Sequence, residues 1–236
     1  MNFFKLGKIG AEAHWKKYHK PIEEYIVINH QKFTKEKARV IGYIMGDGSI
    51  TNPKKDSRGI QHNDISFYPD DINMANLFVE DFEKLYLKKP KIKNLGKYYS
   101  VRVSSKPACD DLRKIADYSS LVWEFPDKTI KLREDKIEWV KSMFDCEACV
   151  NKRSIYLQSV SKKGIESVQR LLLELGVNVK VYVYHRENKN HSTNYILAIM
   201  GRENLLKYNN LVGFNHLNKS KKLKILTADV PERSMG

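Results

Sequence analysis

The fold is decided by residues 38–50, which read ARVIGYIMGDGSI. Ala38, Gly42 and Gly46 recur every four residues, so on a helix they form one stripe that carries almost no side chain. A second helix can approach such a stripe until the two backbones nearly touch. Asp47 places a carboxylate at the end of the stripe. Taken alone, the stretch fits an ordinary buried helix that ends in glycine equally well.

The same layout returns in residues 139–150, which read WVKSMFDCEACV. Ser142 and Cys146 take the places of two glycines, and Glu147 takes the place of Asp47. If the two stripes pack together, the two carboxylates meet at one end of the interface. Neighbouring carboxylates repel each other, and a hard divalent cation such as Mg²⁺ relieves that repulsion. The repetition therefore predicts paired helices with an acidic metal site at their end.

The composition predicts a polyanionic partner. The 236 residues include 42 Lys and Arg and 28 Asp and Glu, so the formal net charge is +14. Such a balance favours nucleic acid first and an anionic membrane surface second. The sequence has no apolar run of transmembrane length and no signal or transit peptide pattern. We therefore expect an intracellular soluble protein without a membrane partner, cytoplasmic in a prokaryote or organellar if organelle-encoded.

The three cysteines do not form a disulfide framework. Cys146 and Cys149 have the C-x-x-C spacing of half a zinc site, but the sequence offers neither a second such pair nor a matching histidine pair. Cys146 is better explained as a small residue where two helices cross.

Periodicity and turn signals divide the chain into two similar halves. We predict an N-terminal extension at 1–33 whose short helix, near 10–19, ends at Pro21. A first domain at 34–117, a linker at 118–133 and a second domain at 134–236 follow.

Each half is expected to follow the order αββαββα, which gives an α+β fold of two pseudo-symmetric copies packed through their motif helices. The antiparallel sheets should bury one face and together form a basic, polar saddle on the other. The predicted helices are 34–46, 71–87, 107–117, 134–146, 165–175, 203–209 and 218–225. The predicted strands are 60–68, two within 91–105, 154–160, 177–184 and 194–200.

The exposed faces of these strands and their turns carry side chains that can contact bases and phosphates. Plain solvation is the competing interpretation for most of them. The predicted nucleic-acid contacts are Ser49, Lys54, Lys55, Arg58, Gln61, Ser66, Tyr68, Tyr98, Ser100, Arg102, Lys152, Arg153, Tyr156, Gln158, Lys180, Tyr182, Tyr184, Arg186 and Lys189.

Residues 40–48 and 140–148 each resemble the LAGLIDADG motif, and the chain resembles the single-chain, two-motif LAGLIDADG homing endonucleases over about residues 34–226. The resemblance implies a monomeric, metal-dependent DNA endonuclease that hydrolyses phosphodiester bonds in a long, nearly non-palindromic duplex. It implies Mg²⁺ or Mn²⁺ as cofactor. By motif position, Asp47 and Glu147 would be the catalytic metal ligands, and the carbonyls of Gly46 and Cys146 would be secondary ligands.

The family also places basic residues around the metal-bound water, often at the end of the last strand of each copy. Lys106 and Arg202 fit that place, and a cation at a solvated helix start is the competing interpretation. The sequence departs from the family at Met45, which replaces an acidic residue, and at Ser142, which replaces a glycine. Ala148 also replaces a glycine. Gln, common in relatives near residue 68, is absent there.

Two alternatives stay open at this point. One is an RNA-binding intron maturase whose partner is the host intron RNA, and the other is a DNA-binding relative that does not cut. The chain starts with Met1 and lacks a terminal His-Asn pair. We therefore expect an intron-encoded or free-standing enzyme rather than an intein.

Overall fold

The N-terminal extension is helical on both sides of Pro21. The computed structural model describes residues 10–30, 32–51, 57, 59, 62–185 and 193–228. A π-helical turn, Trp15–His19, leads into helix α1, Lys20–Asn29. The prediction that Pro21 ends the helix was wrong, because Pro21 lies in the first turn of α1, where its missing N–H leaves no hydrogen bond unmade.

The first copy begins with the motif helix α2, Lys35–Asp47, which Thr34 caps by accepting a hydrogen bond from Lys37 N at 3.3 Å. Its remaining elements are strands β1 (Gly48–Ile50) and β2 (Asp64–Phe67), helix α3 (Ile72–Tyr86), strands β3 (Lys91–Asn94) and β4 (Tyr99–Ser104), and helix α4 (Lys106–Arg113). The order αββαββα is therefore present, with α4 ending four residues earlier than predicted.

The second copy repeats this order after an irregular segment at 114–132. Its elements are the motif helix α5 (Arg133–Glu147), strands β5 (Ala148–Val150) and β6 (Ser154–Ser159), helix α6 (Lys162–Glu174), strands β7 (Lys180–Tyr184) and β8 (Asn194–Met200), and helices α7 (Arg202–Leu211) and α8 (Leu217–Thr227). Gly176 follows the end of α6, and its φ of 86° fits the left-handed turn that glycine favours.

Each copy contains one antiparallel sheet of four strands. The strand orders are β1-β2-β4-β3 and β5-β6-β8-β7, so the two sheets are topologically equivalent. Alternate strand residues, among them Ile65, Phe67, Ile155 and Leu157, are fully buried under the helices. The predicted α+β class with paired copies is confirmed.

The strand prediction was least accurate at the edge of the second sheet. A half-buried strand was expected from Val177, but β7 starts at Lys180, and Val183 is 52 % exposed. Strand β7 is the outer strand of its sheet, and among the described residues it pairs with β8 alone. The predicted order αββαββα implies the short strands β1 and β5, but no bounds were predicted for them.

The irregular segment between the copies is anchored to the second copy. Trp123 lies so close to Gly164 that a Cβ there would be 2.6 Å from the indole ring. Phe125 is also buried, and its N–H donates to Ser167 Oγ at 2.9 Å. Among the helices that the structure describes, none is long and apolar enough to cross a membrane.

Candidate active site

The motif helices α2 and α5 cross in close contact along the predicted stripe. A Cβ placed on Gly42 would lie 2.1 Å from Ser142 Oγ, and one placed on Gly46 would lie 2.4 Å from Cys146 Cβ. Each small but non-glycine residue of α5 therefore faces a glycine of α2. This pairing explains how the second motif accommodates Ser142 and Cys146 without spreading the helices apart.

Asp47 and Glu147 are the last residues of the two motif helices and lie at the same end of the crossing. Burial raises the pKa of the Asp47 carboxyl, and a hydrogen bond from Cys146 opposes that rise. Burial and, after it, the charge of Asp47 together raise the pKa of Glu147 to about 7. The two carboxylates therefore interact, although the Glu147 side chain still reaches solvent. Such a pair favours a bound cation.

Lys219, on helix α8, supplies a cation at this site that the sequence did not reveal. Its Nζ donates to the carbonyl oxygens of Asp145 at 2.5 Å, Cys146 at 3.0 Å and Phe144 at 3.4 Å. These carbonyls belong to the last turn of α5, where helix carbonyls have no intrahelical partner. Lys219 also lowers the pKa of both Asp47 and Glu147.

Asp145 connects the two motif helices to the C-terminal segment. It is fully buried, and its Oδ2 accepts a hydrogen bond from the Tyr43 hydroxyl at 3.2 Å. Its Oδ1 accepts from the backbone N–H groups of Asn215 at 2.9 Å and His216 at 3.0 Å. Burial raises the pKa of Asp145 to about 7 despite these donors. Asp145 is thus a structural residue of the second motif.

The C-terminal segment also binds the first copy. Asp71 caps helix α3 through Asn73 N at 2.8 Å, and its other oxygen accepts from Leu217 N, the first residue of α8, at 2.9 Å. His216 Nε2 lies 3.2 Å from Asp70 Oδ1. Helix α8 is therefore held by both copies directly beneath the carboxylate pair.

Residues 134–213, which span the second copy from its motif helix to the end of α7, match a family model described as a LAGLIDADG-like domain. The match lies within the second copy. The predicted family resemblance is confirmed at this level, and α5 is the motif helix inside the matched segment.

Solved structures of two homing endonucleases share the fold of most of this chain. I-DmoI in complex with DNA and Mn is 19 % identical, covers 83 % of this chain and 98 % of its own, and superposes with a TM-score of 0.59. I-WcaI bound to its DNA recognition sequence is 17 % identical, covers 89 % and 93 % of the two chains, and has a TM-score of 0.52.

Two curated archaeal proteins, both named replication factor C small subunit, are also similar. The protein of Methanocaldococcus jannaschii is 29 % identical over 212 residues, and that of Thermococcus kodakarensis is 28 % identical over 192 residues. The aligned segments cover 87 % and 77 % of this chain. They are only 11 % and 20 % of the lengths of those two proteins.

An open groove of about 790 Å³ leads from the polar face of the first sheet to the end of the two motif helices. Tyr68 and Arg102 line it together with Asp47, and Arg102 Nη2 donates to the Tyr68 hydroxyl at 2.7 Å. Tyr98 lies on the same wall, 43 % exposed. Three of the predicted nucleic-acid contacts therefore lie beside one candidate metal ligand.

Lys106 lies away from the carboxylate pair, and its predicted place beside the metal site was wrong. Gly48, which follows Asp47, pairs with Phe67, and Phe67 pairs with Val101 of β4. From Val101, strand β4 runs away from Asp47 to Ser104. Three strand residues span about 10 Å. At that distant end, Lys106 forms an ion pair with Asp110 at 2.5 Å.

Arg202 is displaced in the same way. Leu157 of β6 pairs with Ala148, which follows α5, and with Leu197 of β8, so Leu197 lies near the end of α5. Met200 of β8 pairs with Ser154 at the opposite end of β6. Arg202 follows Met200 and is therefore far from Glu147. The expectation of a catalytic cation at the end of the last strand fails in both copies because β4 and β8 run away from the motif helices.

The other predicted contacts fall into three groups. Ser66 and Ser100 are buried, at 9 % and 6 % exposure, because each short side chain stands opposite a long one, Arg102 or Lys93. Their prediction as open contacts was wrong. On accessible turns or strand faces lie Ser49, Lys152, Arg153, Tyr156, Gln158, Lys180, Tyr182 and Tyr184. Outside the described residues lie Lys54, Lys55, Arg58, Gln61, Arg186 and Lys189.

A divalent metal ion would find a partial ligand set here. Asp47 and Glu147 provide hard oxygen donors that suit Mg²⁺ or Mn²⁺. Across the part of the chain that the structure describes, His, Cys, Asp and Glu do not form any metal-binding group of three or more. Main-chain carbonyls, water or a bound phosphate would have to complete the coordination. The Cys146 carbonyl, a predicted ligand, is already bound to Lys219, whereas Gly46 stays a predicted ligand.

Proposed function

We propose that the protein is a site-specific, divalent-metal-dependent endonuclease for double-stranded DNA, acting as a monomer with an internal two-fold arrangement. The observation that carries the proposal is the convergence of Asp47 and Glu147 at the end of the LAGLIDADG crossing. Each carboxylate comes from one copy, which suits a reaction that cuts one strand on each side of a pseudo-two-fold axis.

The chemistry of the site fits phosphodiester hydrolysis. Both carboxylates have raised pKa values, so a cation between them is favoured. Mg²⁺ or Mn²⁺ bound there would activate water and stabilise the charge on the leaving oxygen. Asp47 and Glu147 would hold the metal, and Lys219 would neutralise part of their charge.

The two polar sheet faces support a DNA substrate, and their differences support an asymmetric one. Strand pairing makes Tyr68 equivalent to Gln158 and Arg102 equivalent to Ala198. Equivalent positions therefore present different hydrogen-bonding groups, which favours a nearly non-palindromic site. The DNA complexes of I-DmoI and I-WcaI add support at the level of shared fold. Origin within an intron also stays a proposal.

In the decisive experiment, duplexes that the protein binds in Ca²⁺ are selected from a randomised library. Mg²⁺ is then added to start cleavage. We expect a double-strand cut at one position of the selected site. Asp47→Asn and Glu147→Gln should each abolish cleavage while duplex binding persists, and Glu166→Gln, on the surface of α6, is the matched control. Binding without any cut by the natural protein would favour the non-cleaving relative. Stimulated intron splicing without cleavage would favour the maturase.

A further inference from the structure

Lys219 occupies the negative end of the second LAGLIDADG helix. Its ammonium group contacts the three carbonyls of the last turn of α5, and a helix C-terminus carries a partial negative charge. The Lys219 side chain is partly buried at this place. One positive charge is therefore fixed at the base of the carboxylate pair.

The backbone that carries Lys219 is fixed as well. Asp145 accepts from His216 N, and Asp71 accepts from Leu217 N, so contacts from both copies hold the start of α8. Lys219 is two residues beyond Leu217. Because contacts from both copies hold the backbone near Lys219, the position of its ammonium group at the site is restricted.

A lysine at this place affects any metal that binds Asp47 and Glu147. The Cys146 carbonyl, 3.0 Å from Nζ, gives one of its two lone pairs to this hydrogen bond and is therefore a weaker donor to a divalent ion. The ammonium also repels a second cation nearby. Lys219 thus competes with metal for one oxygen and for the negative potential of the site.

We propose that Lys219 is a tethered cation that shares the carboxylate site with the divalent metal, holds the Cys146 carbonyl, and weakens metal binding by the free protein. Lys219 is thus a positioning residue that limits how strongly the site takes up metal before DNA is bound. This inference rests on the assignment of Asp47 and Glu147 as metal ligands in the proposed function.

The test measures binding of Ca²⁺ alone to the full chain by isothermal titration calorimetry, without DNA. Lys219→Gln removes the charge but keeps an N–H donor for the carbonyls, so we expect the variant to fold. We expect its affinity for Ca²⁺ to rise at least about tenfold, since a unit charge a few ångströms away acts strongly at an effective dielectric constant near 20. Lys219→Arg keeps the charge and should restore the natural affinity.

Lys222→Gln is the matched control, because Lys222 is exposed on the same helix and its loss changes the net charge equally. Equal or weaker Ca²⁺ binding by folded Lys219→Gln would overturn the inference, as would equal gains from Lys222→Gln. Absence of Ca²⁺ binding by both the natural protein and Lys219→Gln would overturn it too. Asp47→Asn tests the metal assignment separately, and the library selection tests DNA cleavage, so failure of the inference is distinguishable from failure of the proposed function.

Discussion

Gly42 faces Ser142 across the crossing of α2 and α5 without room for a methyl group. A Cβ on Gly42 would lie 2.1 Å from Ser142 Oγ and 2.8 Å from the carbonyl oxygen of Trp139. Ser142 Oγ is itself held by its own helix, donating to Glu138 O at 2.9 Å and to Trp139 O at 3.0 Å. The crossing distance is therefore set by backbone and by a side chain with little freedom to move.

Gly42→Ala should destabilise the protein by about 3 kcal/mol, because overpacking against backbone cannot be relieved by a rotamer change. Urea unfolding followed by circular dichroism measures the change. Gly10→Ala is the control, since a Cβ on Gly10 meets no atom within 4 Å. The double variant Gly42→Ala, Ser142→Gly should recover part of the loss, with the Trp139 carbonyl preventing full recovery. Equal stability of Gly42→Ala and Gly10→Ala would contradict this packing.

Asp145 should make stability depend on pH. Its folded pKa of about 7 lies above the ordinary value of 3.8, so between those values the folded chain holds a proton that the unfolded chain has lost. Raising the pH through this window therefore favours unfolding. The loss attributable to Asp145 should be on the order of 3 kcal/mol between about pH 4 and pH 8.

Asp145→Asn isolates this contribution because its side-chain oxygen can still accept from Asn215 N and His216 N. Urea unfolding at pH 5 and pH 8 should show a smaller loss of stability for the variant than for the natural chain. The comparison is needed because burial also raises the pKa of Asp135 to about 6. A loss of equal size in both proteins would exclude Asp145 as the source.

The parts of the fold that sequence analysis recovered are those with strong local patterns. Strand β8 was predicted with its observed ends, Asn194 and Met200, and the Gly176 turn followed from glycine's access to positive φ. Strands β1 and β5 have three residues each, too few to show a period. The predicted burial of Val183 failed because alternation does not distinguish an edge strand from a central one.

Only the part of the candidate site that carries a local sequence pattern could be predicted. Asp47 and Glu147 were predicted as a pair because a repeated motif marks both. Lys219 has no local signal, since it is one of several lysines on α8 and reaches the site only through tertiary contacts with Asp71 and Asp145. Lys106 was misplaced because strand order and direction, which decide its distance from Asp47, are not local properties.

Arg39 joins the two copies through buried charges. Its guanidinium binds both oxygens of Asp81 at 2.7 Å and Glu138 Oε2 at 2.8 Å. Arg39→Met should destabilise the protein by about 3 kcal/mol, because it removes the cation that binds the buried Asp81 carboxylate and leaves Glu138 with Lys141. Lys20→Met, which removes the exposed pair with Glu24, should change stability by less than about 1 kcal/mol. Thermal or urea unfolding of both variants makes the comparison, and equal losses would argue against the buried bridge.

Variants of Arg102 and Lys106 should distinguish the groove beside Asp47 from the distant end of the first sheet as the place where DNA binds. Arg102 lines the groove beside Asp47, whereas Lys106 is neutralised by Asp110. Arg102→Ala should therefore weaken duplex binding and reduce its salt dependence by roughly one counterion. Lys106→Ala should leave the cleavage rate of the selected target within about twofold, since a residue outside the site supplies no transition-state contact.

Fluorescence anisotropy with a mixed-sequence duplex, titrated between about 50 and 200 mM salt, measures the slope for both variants. Circular dichroism first establishes that each is folded. An unchanged slope for Arg102→Ala would place DNA away from this groove. Loss of cleavage by Lys106→Ala with intact duplex binding would instead require Lys106 to approach Asp47, which the direction of β4 does not allow unless the strand pairing of Val101 and Ser104 changes on binding.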